Sequence, residues 1–308
     1  MEFRRLSFFK RVCISGFIEA CRESRCPLEE GIMIVRDLQE SLGFALFTED
    51  SQPSAETLTE DGKNFLPSID NLLLDYASGF LDVYNCKGMP DAIRVKTTFS
   101  YGKNLLLPCV TIMHDSGSLE HLGLDLLTNR DSRGIGDIDS HVIFKNLMAM
   151  DHLFFDHRWT LKLDQGLYAG EGYLLDTGGY PKGFEDLTNH SVLGYGTTDR
   201  DAQRSVNWHL FGQNGLCNLE PSILISSPSV IIAAVEANLG IGPVVDDHER
   251  FGYRRLFKVI PDVSGPPITL DFAVRRKLPD GVGEAADELE RVLLMEIARI
   301  GLEVVFQG

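Results

Sequence analysis

The chain has 308 residues, 44% of them hydrophobic, and a mean hydropathy close to zero. That excludes a disordered or fibrous chain and gives a length suited to two or more globular domains. The net charge of −16 excludes adhesion of the whole chain to nucleic acid or to an anionic membrane, so any contact with DNA must come from a local basic patch. No run of about 18 apolar residues occurs, and Met1-Glu2-Phe3-Arg4-Arg5-Leu6 passes directly into amphipathic sequence; the expected compartment is the cytoplasm, with no membrane partner. Cys13, Cys21, Cys26, Cys86, Cys109 and Cys217 form no CxxC pair and no His/Cys cluster with zinc spacing. They are expected to be reduced structural thiols, with no metal and no cofactor; redox sensing would require an accessible thiol of lowered pKa beside a resolving partner.

Residues 2 to 58 hold three short helical patterns. Phe3, Leu6, Phe8, Phe9 and Val12 open the first, a second starts near Gly16-Phe17-Ile18, and a third runs from Leu28 through Val35, Leu38 and Leu42 to Gly43, a residue suited to ending a helix. Phe44-Ala45-Leu46-Phe47, the polar stretch Thr48 to Glu56 and Thr57-Leu58-Thr59 then fit two short strands around a loop, a wing. From Thr59 to about Tyr84, the apolar positions Phe65, Leu66, Ile69, Leu72, Leu73, Tyr76, Phe80, Leu81 and Tyr84 recur at helical spacing. So long a helix needs cover for its apolar stripe, and a second copy of itself is the simplest cover, so it is expected to form a homodimer. Pro67 falls early in it, where it is absorbed or makes a kink, and Lys87-Gly88-Met89-Pro90 breaks it and marks a hinge.

From Asp91 onward strands alternate with helices: Ile93 to Thr97, a helix around Leu105 to His114, Leu122 to Leu127 and Val142 to Phe144, the rhythm of a mostly parallel sheet. A second block has strands near Thr160 to Leu163, Val192 to Tyr195, Ser222 to Ile225 and Ile241 to Val245. Ile268 to Val274 reads as a returning strand and Glu284 to Ile300 as a closing amphipathic helix. A chain that leaves one α/β unit, builds another and returns makes two lobes with a cleft between them. The division expected is a head over 1–58, a helix and hinge over 59–90, and a two-lobed domain over 91–301, with lobe I about 91–163 and 268–301 and lobe II about 164–267. The tail 302–308, Leu302-Glu303-Val304-Val305-Phe306-Gln307-Gly308, is similar to a picornaviral protease cleavage site with one residue changed and is left out of the fold reading.

Several segments, in this order, resemble the LysR-type transcriptional regulators. Leu6-Ser7-Phe8-Phe9 with Val12 is similar to that family's opening helix, and Arg36-Asp37-Leu38-Gln39-Glu40-Ser41-Leu42-Gly43 with Leu46-Phe47 to its R-x-L-E-x-x-L-G-x-x-L-F signature. Leu58-Thr59-Glu60-Asp61-Gly62 resembles the L-T-x-x-G that opens the linker helix. In the second half, Tyr173-Leu174 with Gly179-Tyr180-Pro181, Glu185-Asp186-Leu187 and His190 is similar to a Y-L-x-x-x-G-x-P-x-x-x-x-D-L-x-x-H run, and Asn238-Leu239-Gly240-Ile241-Gly242-Pro243 to a G-L-G-I-A-x-L-P turn. The resemblance implies an α/β protein with an N-terminal winged helix-turn-helix, a long linker helix and a two-lobed periplasmic-binding-protein-like effector domain. It implies also a homodimer, a homotetramer through the effector domains, and a small-molecule effector whose binding shifts the lobes and the spacing of the heads.

The chain departs from the family at the helix that reads DNA. Where the family has a stretch like S-Q-P-A-V-S-R-Q-I, this chain has Pro27-Leu28-Glu29-Glu30-Gly31-Ile32-Met33-Ile34-Val35, so Ile32 and Met33 replace the phosphate-binding Ser and Arg. Glu29 and Glu30 suit the helix dipole but repel a phosphate. After Leu46-Phe47, Thr48-Glu49-Asp50 stands where a basic residue is usual, and residues 1 to 60 hold seven basic against eleven acidic residues, a net of −4. Two readings follow. In one, Arg4, Arg5, Arg22, Arg25 and Arg36 share a face and the protein binds DNA weakly or in company. In the other, the head is a protein-interaction module with Ile32, Met33 and Ile34 as an exposed apolar patch. The plainer alternative for these three side chains is core packing after a helix rotation.

In two-lobed α/β domains small molecules bind between the lobes, at strand ends and helix N-termini. The first strand exits into Thr97-Thr98-Phe99-Ser100-Tyr101 and the second into Thr128-Asn129-Arg130, both at pocket positions of the family. Thr98 and Ser100 are expected to hydrogen-bond an effector, beside Tyr101, and Arg130 to pair with a carboxylate. Ser227 precedes Pro228 and is expected to cap a helix facing the cleft; for each hydroxyl the alternative is a plain turn or cap. Enzymatic readings find no support. His152 and His157, five apart, do not share a helical face for a metal, Gly134-Ile135-Gly136 lacks the setting of a dinucleotide loop, and there is no nucleophile elbow or P-loop.

Overall fold

The computed structural model describes residues 3–24, 26–48, 52–85, 93–118, 124–128, 140–147, 151–196, 207–211, 219–279 and 281–306. The head is three helices, α1 (Phe3–Ser15), α2 (Phe17–Glu23) and α3 (Leu28–Leu42), around buried Phe8, Phe9, Val12, Ala20 and Leu38. α2 and α3 approach so closely at Gly31 that a Cβ there would lie 2.4 Å from the Cys21 sulfur. Gly43, in the left-handed conformation, ends α3 as expected. The wing is smaller than the sequence suggests. Among the described residues it is one antiparallel bridge, Phe47 to Leu58, with Thr48 N–H donating to the Thr57 carbonyl at 2.8 Å, and the 3-10 turn Ala55–Thr57 takes the place of a second strand.

The residues that resemble a family signature turn out to hold this head together. Gln39 Oε1 accepts from the backbone N–H groups of Leu46 (2.7 Å) and Phe47 (3.2 Å), fixing the chain as it leaves α3. Thr59 Oγ1 donates to the Ala45 carbonyl at 2.6 Å and accepts from Gly62 N–H at 3.0 Å, which caps α4 (Glu60–Asn85). A Cβ on Gly62 would sit 2.3 Å from the Leu46 carbonyl oxygen, so only glycine allows this crossing. Pro67 lies inside α4, in its second turn.

Two findings correct the reading of α4 and of the tail. The first half of the α4 stripe is covered by its own chain. Ile69 (2% exposed) and Leu73 (fully buried) join the head core, which continues into Ile143, Phe154, Phe155 and Ala273 of the α/β region, while Leu72 is exposed and the side chains from 75 onward lie outside the described residues. The tail, set aside above, contributes a strand: β11 (Val304–Phe306) pairs antiparallel with β4 (Phe155–Leu163), and Leu302 is buried in the main core. Two valines and a phenylalanine suit an edge strand, and β4 offers one.

The larger sheet has the order β11-β4-β10-β3-β1-β2, built also from β1 (Ile93–Thr97), β2 (Leu124–Thr128), β3 (Val142–Lys145) and β10 (Ile268–Arg275). Only β2-β1-β3 are parallel; β10, β4 and β11 are antiparallel additions, so the sheet is mixed rather than mostly parallel, and β4 belongs to it and not to the second block. One face packs on α5 (Leu107–Asp115) and α10 (Val282–Arg299), where Trp159 stacks on Phe272 with centroids 4.9 Å apart. On the other face Arg94, Lys96 and Lys145 alternate with these core residues. The short helix α6 (Asp151–Phe154) leads into β4.

The second unit holds β8-β5-β9, with β5 (Gln165–Ala169), β8 (Gly242–Val245) and β9 (Phe257–Lys258), of which β5 and β9 escaped the sequence reading. Beside them lie the parallel pair β6 (Leu193–Tyr195) and β7 (Ile223–Ile225), and the helices α7 (Glu171–Asp176), α8 (Trp208–Phe211) and α9 (Pro228–Glu236). Asn238 Oδ1 accepts from Tyr173 N–H at 3.1 Å, and the Tyr173 hydroxyl accepts from Ser191 N–H at 2.8 Å, so the motif residues of this half are again structural.

His209, on α8, is fully buried; its Nε2 donates to the Leu193 carbonyl at 2.8 Å and its Nδ1 has no partner. Burial pushes the imidazole down to about 4, opposed by the hydrogen bond to Leu193. Because the folded value lies below that of the unfolded chain, the stabilisation is fully present above about pH 6.5 and is lost as the pH falls toward about 4. Denaturant midpoints measured across that window should fall for the wild type and flatten in His209→Gln; equal pH dependence in both would exclude His209 as the cause.

Candidate functional site

Two surfaces carry functional potential. The first is the cavity where the lobes meet. β1 ends at Thr97, and a helical turn, Phe99–Tyr101, and a π-helical stretch, Gly102–Leu106, lead directly into α5; the helical region therefore begins six residues earlier than the sequence suggests. This turn carries Ser100 and Tyr101 to the cavity, which is lined also by Asn104, Gln165, Phe251 and Tyr253. Its volume is about 60 Å³. That is room for a few water molecules, so a larger ligand must part the lobes. Hydrogen bonds between the lobes include the Ser100 hydroxyl with that of Ser229, Asn104 Nδ2 donating to the Tyr253 hydroxyl at 3.2 Å, and, away from the cavity, Arg250 Nη1 donating to the Gly301 carbonyl. Gln165 Nε2 donates to the Pro266 carbonyl at 2.6 Å and so ties together the two crossover segments. Tyr101 meets Phe251 edge-on at 6.3 Å, and burial raises its phenol above the ordinary tyrosine value.

Of the residues singled out in the sequence, Ser100 and Tyr101 line this cavity. Thr98 precedes the helical turn and does not line it. Ser227 stands at the N-cap of α9 and makes no side-chain cap bond; Ser229, two residues on, makes the contact across the cleft. Thr128 ends β2 opposite Thr97, and Asn129 and Arg130 lie outside the described residues. Ser229, Asn104, Tyr253 and Gln165 were missed. Nothing local marks them, because each acquires its place only when the second lobe folds over the first.

The second surface is α3, at the recognition position of the helix-turn-helix. Val35 and Leu38 bury one side of α3, and Leu28, Glu29, Ile32, Met33, Arg36 and Glu40 are exposed on the other. Ile32 is 57% and Met33 53% exposed, so packing of these two into the core is excluded; Ile34 alone is partly buried against it. The basic residues are tied to carboxylates of the head and linker helix: Arg4 to Glu30 at 2.6 Å, Arg5 to Asp37 at 3.1 Å, Lys10 to Asp70 at 2.6 Å, Arg22 to Glu19, and Arg36 to Glu40 at 3.8 Å. Arg4 and Arg5 reach from α1 to α3 and Arg22 pairs along α2, so these arginines do not gather on one free face; Arg25 lies outside the described residues. Exposed pairs of this kind contribute little stability, but each spends a cation that phosphate binding would need.

Burial pushes the Cys13, Cys21 and Cys109 thiols up to about 12 and raises Cys26 as well, which suits structural thiols and opposes reactivity. Cys86 and Cys217 lie outside the described residues, as do Gly134 to Gly136. His157 stands on β4 with Nε2 3.0 Å from Thr160 Oγ1 and 3.3 Å from Asp271, apart from His152 on α6. Among the described residues no helix is long and apolar enough to cross a membrane.

A helical head with a minimal wing, a long helix and two α/β lobes around a cavity define the winged helix-turn-helix, linker-helix and two-lobed effector-domain architecture. No family model and no curated protein matches the chain. Solved structures do. CrgA, a LysR-type transcriptional regulator from Neisseria meningitidis, is similar with a TM-score of 0.51 at 18% identity, over 96% of this chain and 98% of that one. Full-length AphB, the Vibrio cholerae virulence activator and a member of the LTTR protein family, gives a TM-score of 0.51 at 18% identity over 96% of this chain and 99% of its own. The regulatory domain of AphB from Vibrio vulnificus matches 65% of this chain and 99% of that chain, with a TM-score of 0.50 at 18% identity. The chain thus has the fold of full-length LysR-type regulators.

Proposed function

We propose that the protein is an effector-responsive regulator of the LysR type whose head has surrendered most of its affinity for DNA and acts on it weakly or in the company of a protein partner. The observation that carries this reading is the outward face of α3, where Leu28, Ile32 and Met33 stand exposed beside Glu29 and the one basic side chain, Arg36, is already paired with Glu40. Sequence-specific reading needs donors aimed at base edges and cations aimed at phosphates; this face offers apolar side chains, the carboxylates of Glu29 and Glu40, and one arginine paired with the second of them. The same face gives specific support to a second reading, in which the head docks only on a protein and DNA plays no part. The remainder of the proposal is a cytoplasmic homodimer formed through α4 and assembled to a tetramer through the effector domains.

A salt series on a fragment carrying the protein's own promoter tests the first reading. With so few unpaired cations the slope of log K against log salt should be shallow, corresponding to about three phosphate contacts or fewer. A specific complex with a slope of the six to ten contacts common in dedicated DNA readers would overturn it. The effector site is tested by thermal-shift screening of small carboxylates. For a compound that stabilises the wild type, Ser100→Ala should weaken affinity about tenfold, the worth of one hydrogen bond in a desolvated site, and unchanged affinity would remove Ser100 from it.

A further inference from the structure

Along its exposed face α3 carries an acid, an apolar pair and a base, an order in which each charge meets its opposite when the helix is reversed. Glu29 and Arg36 are seven residues apart, two helical turns, so they lie along one line of the helix. Ile32 and Met33 occupy the midpoint between them and stand on the two sides of that line, 57% and 53% exposed. Leu28, one turn before Ile32 and also exposed, extends the apolar side on which Ile32 lies. Beyond Met33 the carboxylates of Glu30 and Asp37 are engaged by Arg4 at 2.6 Å and by Arg5 at 3.1 Å, which offsets the negative charge flanking the face. Glu29 is exposed and makes no ion pair among the described residues. Arg36 holds Glu40 at 3.8 Å with the two side chains 62% and 71% exposed, a pair readily exchanged for another.

We propose that this face is a homotypic interface: the α3 helices of two copies of the chain pack antiparallel about a two-fold axis that passes between Ile32 and Met33. Glu29 and Arg36 are equidistant from that point, so Glu29 of each copy meets Arg36 of the other and the contact closes with two ion pairs. A two-fold keeps each side of the line on its own side, so Ile32 faces Ile32 and Met33 faces Met33. An apolar centre with charged ends is the arrangement by which paired helices fix their register and direction. A foreign protein would need its own base and acid at this separation; a second copy supplies both by symmetry. One helix face is too small a contact to hold two chains by itself, so it forms between heads kept close by the α4 and effector-domain contacts proposed above. The inference deepens the reading in which the head docks on a protein, and rests on it; a second copy seated here keeps α3 from the duplex.

Cross-linking of the full chain through Met33→Cys tests it, with the wild type giving the background from the native cysteines. A short bismaleimide should join two Met33→Cys chains through the introduced thiols. Adding either Glu29→Arg or Arg36→Glu should lower the yield about tenfold, because like charges then oppose each other at both ends of the contact. Co-expression of the two reversed chains, carrying tags of different length, pairs each reversal with its complement, and the mixed product should return to the yield of Met33→Cys alone. All three positions are exposed, so the substitutions leave the head core intact. A yield no higher than the wild-type background overturns the pairing. A cross-link indifferent to both reversals, or one that the mixed chains fail to restore, overturns the antiparallel register and the proposal with it. The docking reading is decided separately, by the salt slope on the promoter fragment: a shallow slope without the cross-link retains a protein partner for the head and removes a second copy from that role.

Discussion

Ile32→Ser and Met33→Arg combined with Glu29→Gln should convert the head into a markedly better DNA binder. All three side chains are exposed on one face of α3, so the substitutions leave the core of Phe8, Phe9, Val12 and Leu38 untouched. One cation is gained and one carboxylate lost, which amounts to about two additional phosphates neutralised. The variant should then lose about tenfold more affinity than the wild type between 50 and 200 mM salt, with a matching gain at the low-salt end. Filter binding or fluorescence anisotropy over that range measures it. Identical slopes for the two proteins would show that α3 does not face the duplex at all, and would favour docking on a protein as the sole role of the head.

Gly62→Ala should destabilise the head by about 3 kcal/mol, near the upper end for overpacking, because the obstacle is backbone and cannot swing aside. The new Cβ would stand 2.3 Å from the Leu46 carbonyl oxygen and 3.0 Å from Leu58, at the point where the wing bridge and the first turn of α4 cross. Moving either element would strain the Thr59 cap and the Phe47–Leu58 bridge together. Limited proteolysis should release the head early while the lobes persist, because the core on α5 and α10 shares no residue with it. A variant with wild-type proteolytic resistance would show that α4 is free to shift, and the account of this motif would fall.

These two expectations concern residues only a turn or two apart in function yet of opposite character. Gln39, Thr59 and Gly62 resemble a family signature, and each is a structural element: an acceptor for two backbone amides, a cap, a close crossing. Ile32 and Met33, where the resemblance led one to expect a serine and an arginine, both face outward. Where local sequence dictates backbone hydrogen bonding, a single chain is enough to reveal it, and so the three helices, the stop at Gly43 and the long α4 were legible, whereas the cap that Thr59 makes was not read from it. The interlobe cavity was legible in part. Ser100 and Tyr101 sit at a strand exit, a position that a βα rhythm marks by itself. Their partners Ser229, Asn104 and Tyr253 lie on helices and loops with no distinguishing local pattern.

The sequence alone determined the order of most elements, the end of α3 at Gly43 and the net negative charge of the head, because each depends on residues close together in the chain. The tertiary structure decided the rest. It showed that β10, β4 and β11 extend a parallel core antiparallel, that the tail is a strand, and that the first half of the α4 stripe is covered by its own chain. Sheet neighbours and buried charge partners are chosen by long-range packing, in which residues over a hundred positions apart compete for the same surface, and periodicity along the chain carries no record of that competition.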